Sequence, residues 1–322
     1  MLLVYIFLAI LAVLIVTVPE LFFAPGTVQA IIRSGMDLSF MVLGMTAVLL
    51  LGEIDVSVGS IMIVSCTATG LLCQSGLPDA VAVLGGIAAG ALCGTFNGVL
   101  VAKCGIPSVI VTIATSLLFR GIVTIALNGD TLTTYPAWFA ALSWQDLGEV
   151  FPYSALCFLV AAAVLIVVLQ KTRFGREVYL IGNSTTVSEY SGLRTGRVKI
   201  AVFTLMGVCS ALSGILFAGR LGGISSGIGT GYELQVIAIV VLGGVSTNGG
   251  KGNAIGPVIA TFIMAFLTKT LDLLWVHANV QKIIIGCILL AAVLFPALVS
   301  RVKAGKKRPA NTAAKAKEAQ QV

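Results

Sequence analysis

KTRFGREVYLIGNSTTVSEYSGLRTGRVK, residues 171–199, is the one long polar interval between two apolar halves of the chain. Its basic residues are Lys171, Arg173, Arg176, Arg194, Arg197 and Lys199, set against only Glu177 and Glu189. Its middle nevertheless carries spaced apolar residues: Val178, Leu180, Ile181, Val187, Tyr190 and Leu193. A basic loop with a short amphipathic insert between membrane segments predicts a docking surface on the cytoplasmic side. A tether that only sets topology would carry the same charges, and the stretch alone does not separate the two.

On either side of this loop the composition is that of a membrane protein. Of 322 residues, 58% are hydrophobic and 10% charged, against roughly 25% charged in soluble domains. Apolar runs near the ~20 residues needed to cross hydrocarbon recur along the length. Strict alternation of polar and apolar residues is missing, which excludes a barrel. The formal charge of +7 falls between apolar runs, where it orients a membrane protein and does not imply nucleic acid. The cysteines (66, 73, 93, 104, 157, 209 and 287) form no CxxC pair and read as small hydrophobes, so no metal site is expected. The lone His277, beside Trp275, reads as interfacial, with a proton-relay role as the other option.

About ten spans are expected: 2–18, 36–52, 56–73, 80–101, 106–127, 153–170, 198–219, 233–247, 254–273 and 281–299. The fold class is therefore an all-α integral membrane protein. With the N-terminus inside, Lys103, the 171–199 loop, Lys251 and the basic tail from Arg301 share the cytoplasmic side. That positive-inside bias places both termini in the cytoplasm. The longest outer loop, 128–152, holds Tyr135, Trp138, Phe139 and Trp144. These fit an interfacial belt, or a cap over an outer vestibule.

Glycines bracket three short polar breaks: LGEIDVSVGS (51–60), GRLGGISSGIGTGYEL (219–234) and LGGVSTNGGKGNAIG (242–256). Interrupted backbone at membrane depth is tolerated only where it is buried or lines a watery path, so the breaks point to transport. Other glycines, at 85, 86, 90 and 94, have spacings that let helices approach closely. The third break fails as a phosphate loop: counting back from Lys251 puts Val245 where the first glycine belongs, and Gly252 follows the lysine where Ser or Thr is needed. The chain is not expected to hydrolyse ATP by itself. Charges within spans are few (Asp37, Glu53, Asp55, Arg120, Glu233 and Asp272) and sit near expected span ends. That placement disfavours, without removing, an ion- or proton-coupled secondary carrier.

At this point the residues resemble the ribose-type permeases of bacterial ABC importers. The resemblance rests on LGEIDVSVGS (51–60), FNGVLVAKCGIP (96–107), VTIATSLLFRG (111–121), GTGYEL (229–234) and VLGGVSTNGGKGNAIG (241–256), in order and spacing, over about residues 3–300. It singles out Asp55, Gly59, Gly98, Pro107, Arg120, Gly121, Glu233, Gly243, Gly244, Gly249, Gly250 and Gly252 as motif positions. It implies a type II-like permease domain over 1–300 with pseudo-symmetric halves 1–152 and 153–300, in which spans 2–5 and 7–10 are related as inverted repeats; the tail, 301–322, is expected to be disordered from its basic, alanine-rich composition. The implied partners are a cytoplasmic ABC ATPase, which holds the ATP and magnesium, a second permease (identical or paralogous) and a periplasmic sugar-binding protein; this chain binds no cofactor. The implied coupling helix covers about Gly182 to Leu193, through Gly182, Asn183, Thr186, Glu189, Ser191, Gly192 and Leu193. There NSTTVSEYSG replaces a run in which relatives carry Glu and Arg where this chain has Thr186 and Glu189.

The sequence thus reads as a non-enzymatic permease subunit in a bacterial inner membrane, importing a sugar or sugar-like solute. Candidate lining residues are Ser57, Ser60, Asn97, Thr112 and Thr115, for each of which an interhelical hydrogen bond is the competing role. Asp55 is expected to cap a helix N-terminus with help from Ser57.

Overall fold

The computed structural model describes residues 19–22, 24–148, 151–277 and 279–287, together with Ala12 and Leu290. It divides into two compact units, Met1–His277 and Ala278–Val322. The second contributes a helical stretch at 279–287. Apart from Ala12, the expected first span (2–18) lies outside the described residues, as do most of the tenth (281–299) and the whole tail (301–322).

In the first unit a short turn of helix, α1 (Pro19–Phe22), precedes the long α2 (Thr27–Leu50). After the first break come α3 (Val58–Gln74), α4 (Asp79–Lys103) and α5 (Ser108–Leu127). The connection after α5 holds α6 (Ala137–Trp144) and a short hairpin, β1 (Asp146–Leu147) with β2 (Phe151–Pro152), paired antiparallel. Then follow α7 (Tyr153–Lys171), two polar helices α8 (Arg173–Asn183) and α9 (Thr185–Tyr190), the long α10 (Thr195–Leu221), α11 (Tyr232–Leu242) and α12 (Ile255–Leu273). Six of these, α2, α4, α5, α7, α10 and α12, are long and apolar enough to cross a membrane, while α3 and α11 are shorter apolar helices. Each of the eight spans expected between residues 36 and 273 coincides with one of these helices.

Two boundaries move. Helix α2 starts at Thr27, not near 36, because its polar first turns are accommodated: Arg33 forms an ion pair with Asp146 of the hairpin. Helix α11 stops at Leu242, not 247, because Gly244 takes φ +86, a left-handed conformation that costs glycine little.

Helix α2 is apolar on all sides and buried almost throughout, with Met41, Val42, Met45 and Val48 at 0% exposure, as a helix at the centre of a bundle must be. Helices α4 and α10 form the most extensive contact in the molecule. Small residues make this possible: a Cβ on Gly94 would stand 2.2 Å from the carbonyl oxygen of Phe203. Between helices surrounded by lipid, such close backbone packing supplies the attraction that water would otherwise provide. The hydroxyls of Thr95 and Thr204 join across the same contact at 2.8 Å.

Helices α2 and α10 run antiparallel and are fastened at both ends. Lys199, near the start of α10, meets Glu53 just beyond α2 at 2.5 Å. At the opposite end Arg220 meets Asp37 at 2.6 Å. Asp37 therefore lies inside a helix and not at a span end as expected, because α2 begins earlier; its charge is answered by Arg220.

Candidate functional site

The first break (51–57) is where the sequence placed most of its polar candidates, and its backbone shows why they are there. Residues 53–55 leave the helical path; the Glu53 N–H still reaches the Val48 carbonyl of α2, and the amides of Ile54 and Val56 find side-chain acceptors instead. The Ile54 N–H donates to Ser108 Oγ at 3.1 Å, and the Val56 N–H donates to Thr112 Oγ1 at 3.1 Å. The match is geometric. Alternate residues of an extended chain are about 6.6 Å apart, and hydroxyls four apart on a helix are about 6.0 Å apart. Two side chains one turn apart on α5 thus stand in for a neighbouring strand.

Asp55 and Ser57 are 0% exposed. Asp55 Oδ1 accepts from the Ser57 N–H at 2.8 Å and from the Ser57 hydroxyl at 2.5 Å. The carboxylate therefore closes a turn ahead of α3 and does not cap the helix directly, as the sequence suggested; the N-cap is Ser57 itself, and its side chain makes no capping bond. Asn97, also 0% exposed, reaches across from α4 and donates to Ser57 Oγ at 2.8 Å. Ser60 donates to the Ser57 carbonyl at 2.7 Å, and Thr115 to the Thr112 carbonyl at 3.4 Å. All five residues named as lining candidates are thus buried in this network, which holds the break in shape.

The second break (222–231) faces the start of α3. A Cβ on Gly59 would lie 2.5 Å from the Gly229 carbonyl oxygen. Arg120, on the same helix as Ser108 and Thr112, donates through Nη1 to the carbonyls of Ser226 (2.9 Å) and Ile228 (3.0 Å). Glu233 Oε1 accepts from the Gly231 N–H at 3.2 Å, just ahead of α11. Leu132 and Ile224 exchange backbone hydrogen bonds of 2.9 Å, tying the 128–152 connection to this break. Ser143 of α6 donates to the Leu216 carbonyl of α10 at 2.9 Å. The aromatics of that connection divide: Phe139 is 2% exposed, whereas Trp138 and Trp144 are 43% and 54% exposed.

The third break (243–254) lies at the other end of the molecule, where it joins α2 to the polar helices. The Gly250 N–H donates to the last carbonyl of α2, Leu50, at 2.8 Å. Helix α8 settles on this corner: a Cβ on Gly182 would be 1.9 Å from the Leu50 oxygen and 2.7 Å from the Gly250 nitrogen. Gly249, at φ +79, comes equally close to the Gly182 carbonyl and to Gly52. Three chain segments therefore meet backbone to backbone. Tyr179 donates to the Gly252 carbonyl at 3.1 Å, and Gln170 Nε2 to Asn253 Oδ1 at 3.0 Å. Burial raises the Tyr179 phenol, which keeps it a proton donor.

The expected coupling segment, 182–193, contains the end of α8, all of α9 and the turn after it. Ser184 separates the two helices and caps α9, accepting from the Val187 N–H at 3.3 Å. Gly192 takes φ +79. Glu189 accepts from the Thr195 hydroxyl at 2.9 Å, so it fastens α9 to the start of α10. Val178 and Ile181 point inward at 0% and 1% exposure, while Leu180, Val187 and Tyr190 are 56%, 63% and 89% exposed. Ser108, which the sequence reading missed, was detectable only as a hydroxyl one helical turn before Thr112.

A bundle of apolar helices, broken at glycines around buried polar residues and carrying a polar helix pair seated on those breaks, is built as the membrane part of a transport system. The chain belongs to the family described as "Branched-chain amino acid transport system / permease component", which matches residues 27–293. Among similar proteins is an autoinducer 2 import system permease protein of Escherichia coli strain SMS-3-5, 36% identical over 271 residues, 84% of this chain and 78% of that one. The ribose import permease protein of Escherichia coli K12 is 33% identical over 290 residues, 89% of this chain and 90% of the relative. An autoinducer 2 import permease of Yersinia enterocolitica is 34% identical over 290 residues, 89% and 80% of the two chains. No solved structure matches the chain.

Proposed function

We propose that this chain is the permease subunit of an ATP-driven importer for a sugar or sugar-like solute, in a bacterial inner membrane with both termini cytoplasmic. The names of its relatives, a ribose importer and an autoinducer 2 importer, support the solute class. The observation that carries the coupling role is the seat of α8. A helix in backbone contact with the end of α2 and with the third break transmits displacement without side-chain slack. The outward residues Leu180 of α8 and Val187 and Tyr190 of α9 offer an apolar contact for a cytoplasmic ATPase, which holds ATP and magnesium while this chain binds no cofactor.

The two-half architecture is supported by a repeated pattern. In each half a long central helix, a glycine-bearing break and a shorter apolar helix follow one another: α2, 51–57 and α3, then α10, 222–231 and α11. Ten spans in two inverted halves would accommodate this, with a second permease completing the path and a periplasmic binding protein delivering solute.

The test is a mild-detergent pull-down from the native membrane followed by uptake in vesicles. An accompanying ATPase and ATP-dependent uptake are expected. A chain that purifies alone and moves solute down an ion gradient would replace this proposal with a secondary carrier.

A further inference from the structure

Beside the seat of α8 lies a cleft of about 560 Å³. Its walls are the end of α7 (Leu169 and Gln170), the flank of α8 (Arg176, Tyr179 and Leu180) and Gly252 and Asn253 of the third break. We propose that this cleft binds the headgroup of an anionic phospholipid from the leaflet on the α8 side.

Charge and position both argue for this occupant. Arg176 lines the cleft, the exposed Lys171 and Lys251 adjoin the wall residues Gln170 and Gly252 in sequence, and Glu177 is the one acidic residue in 171–183. Glu177 is already paired with Arg173 at 2.9 Å. The Arg176 guanidinium makes a long hydrogen bond, 3.4 Å, to the Lys171 carbonyl. Position ties the cleft to lipid. Val160, Val164 and Val167 are 58%, 59% and 56% exposed, and their spacing forms one stripe along α7 that ends at Lys171. In a membrane that stripe meets acyl chains, so a lipid lying along it brings its phosphate to the cleft mouth. Basic residues at the end of a membrane helix, next to a partly apolar pocket, are how proteins hold anionic headgroups. The volume lies within the roughly 300–1,000 Å³ of small-ligand sites. Gln170 Nε2 and Asn253 Oδ1 are taken by their mutual hydrogen bond, which leaves Gln170 Oε1 and Asn253 Nδ2 for the glycerol hydroxyls of a phosphatidylglycerol.

The experiment titrates the full chain, purified with whatever subunits accompany it, with short-chain phosphatidylglycerol and separately phosphatidylcholine, counting bound lipid by native mass spectrometry. Phosphatidylglycerol should be retained selectively. The double variant Arg176→Gln, Lys251→Gln should bind it about tenfold or more weakly, with unchanged melting temperature. Lys103→Gln, an exposed lysine at the end of another helix, should bind like the unaltered chain. Equal retention of both lipids, or equal loss in the Lys103 variant, would overturn the site. So would a double variant that keeps its lipid but loses its ATPase, which would make the cleft a protein contact.

Discussion

Gly182→Ala is the sharpest perturbation of the seat. The added methyl would stand 1.9 Å from the Leu50 oxygen and 2.7 Å from the Gly250 nitrogen. Both neighbours are backbone, so α8 must lift by about 1 Å or the corner must open. Overpacking of this kind costs about 1–3 kcal/mol, and losing the bond from Gly250 to Leu50 adds about 1 kcal/mol. A total of about 2–4 kcal/mol lowers the seated population of α8 by a factor of roughly 30 to 800, at about 1.4 kcal/mol per tenfold. The assay is the ratio of solute taken up to ATP hydrolysed in vesicles, with thermal unfolding alongside. Gly196→Ala is the control, because its Cβ meets nothing nearer than 3.8 Å. The expected result is a collapsed uptake ratio in Gly182→Ala, with the chain still inserted and the control normal. An unchanged ratio and melting temperature in Gly182→Ala would refute the rigid seat.

Asp55 separates a structural carboxylate from an ion-coupling one. Asp55→Asn keeps the acceptor for both Ser57 bonds and should retain uptake, whereas Asp55→Ala leaves buried donors unpaired and should destabilise by about 2–4 kcal/mol in a thermal melt; loss of uptake in both alike would argue for a titrating role. Lys199→Glu should destabilise the start of α10, and adding Glu53→Lys should recover about 1–3 kcal/mol of coupling in a double-mutant cycle. Additive losses would show that the pair contributes nothing. Gly192→Pro cannot adopt the φ of +79 seen there and, like Glu189→Lys, should uncouple hydrolysis from uptake while insertion persists. Normal ATP-driven uptake in both would move the coupling site elsewhere.

Much of this was legible in the sequence because apolar length and glycine are local signals. The eight helices that coincide with expected spans between residues 27 and 273, the three breaks and the polar loop all follow from runs that need no partner to interpret. What stayed hidden was pairing across distance. Nothing near Ser108 says that its hydroxyl will meet the amide of Ile54, and nothing near Asp37 points to Arg220. The residues offered as path lining were chosen for polarity, and three of them, Ser57, Asn97 and Thr112, also make hydrogen bonds around the first break. The division of the coupling segment at Ser184 was missed because the resemblance suggested one helix, although Ser184 is itself a good N-cap residue. The first turns of α2 were read as connection because Arg33 made them look polar, before Asp146 was known to face it.

The central claim is that the α8–α9 pair carries a partner's ATP cycle into the helices. It is tested most directly by disulfide or maleimide cross-linking from Tyr190→Cys, the most exposed large hydrophobic residue of the pair at 89%, in native membranes with and without ATP. The account predicts a cross-link to an ATPase subunit whose yield changes with nucleotide. A cysteine at 190 that stays freely accessible in the working transporter, with or without ATP, would contradict it.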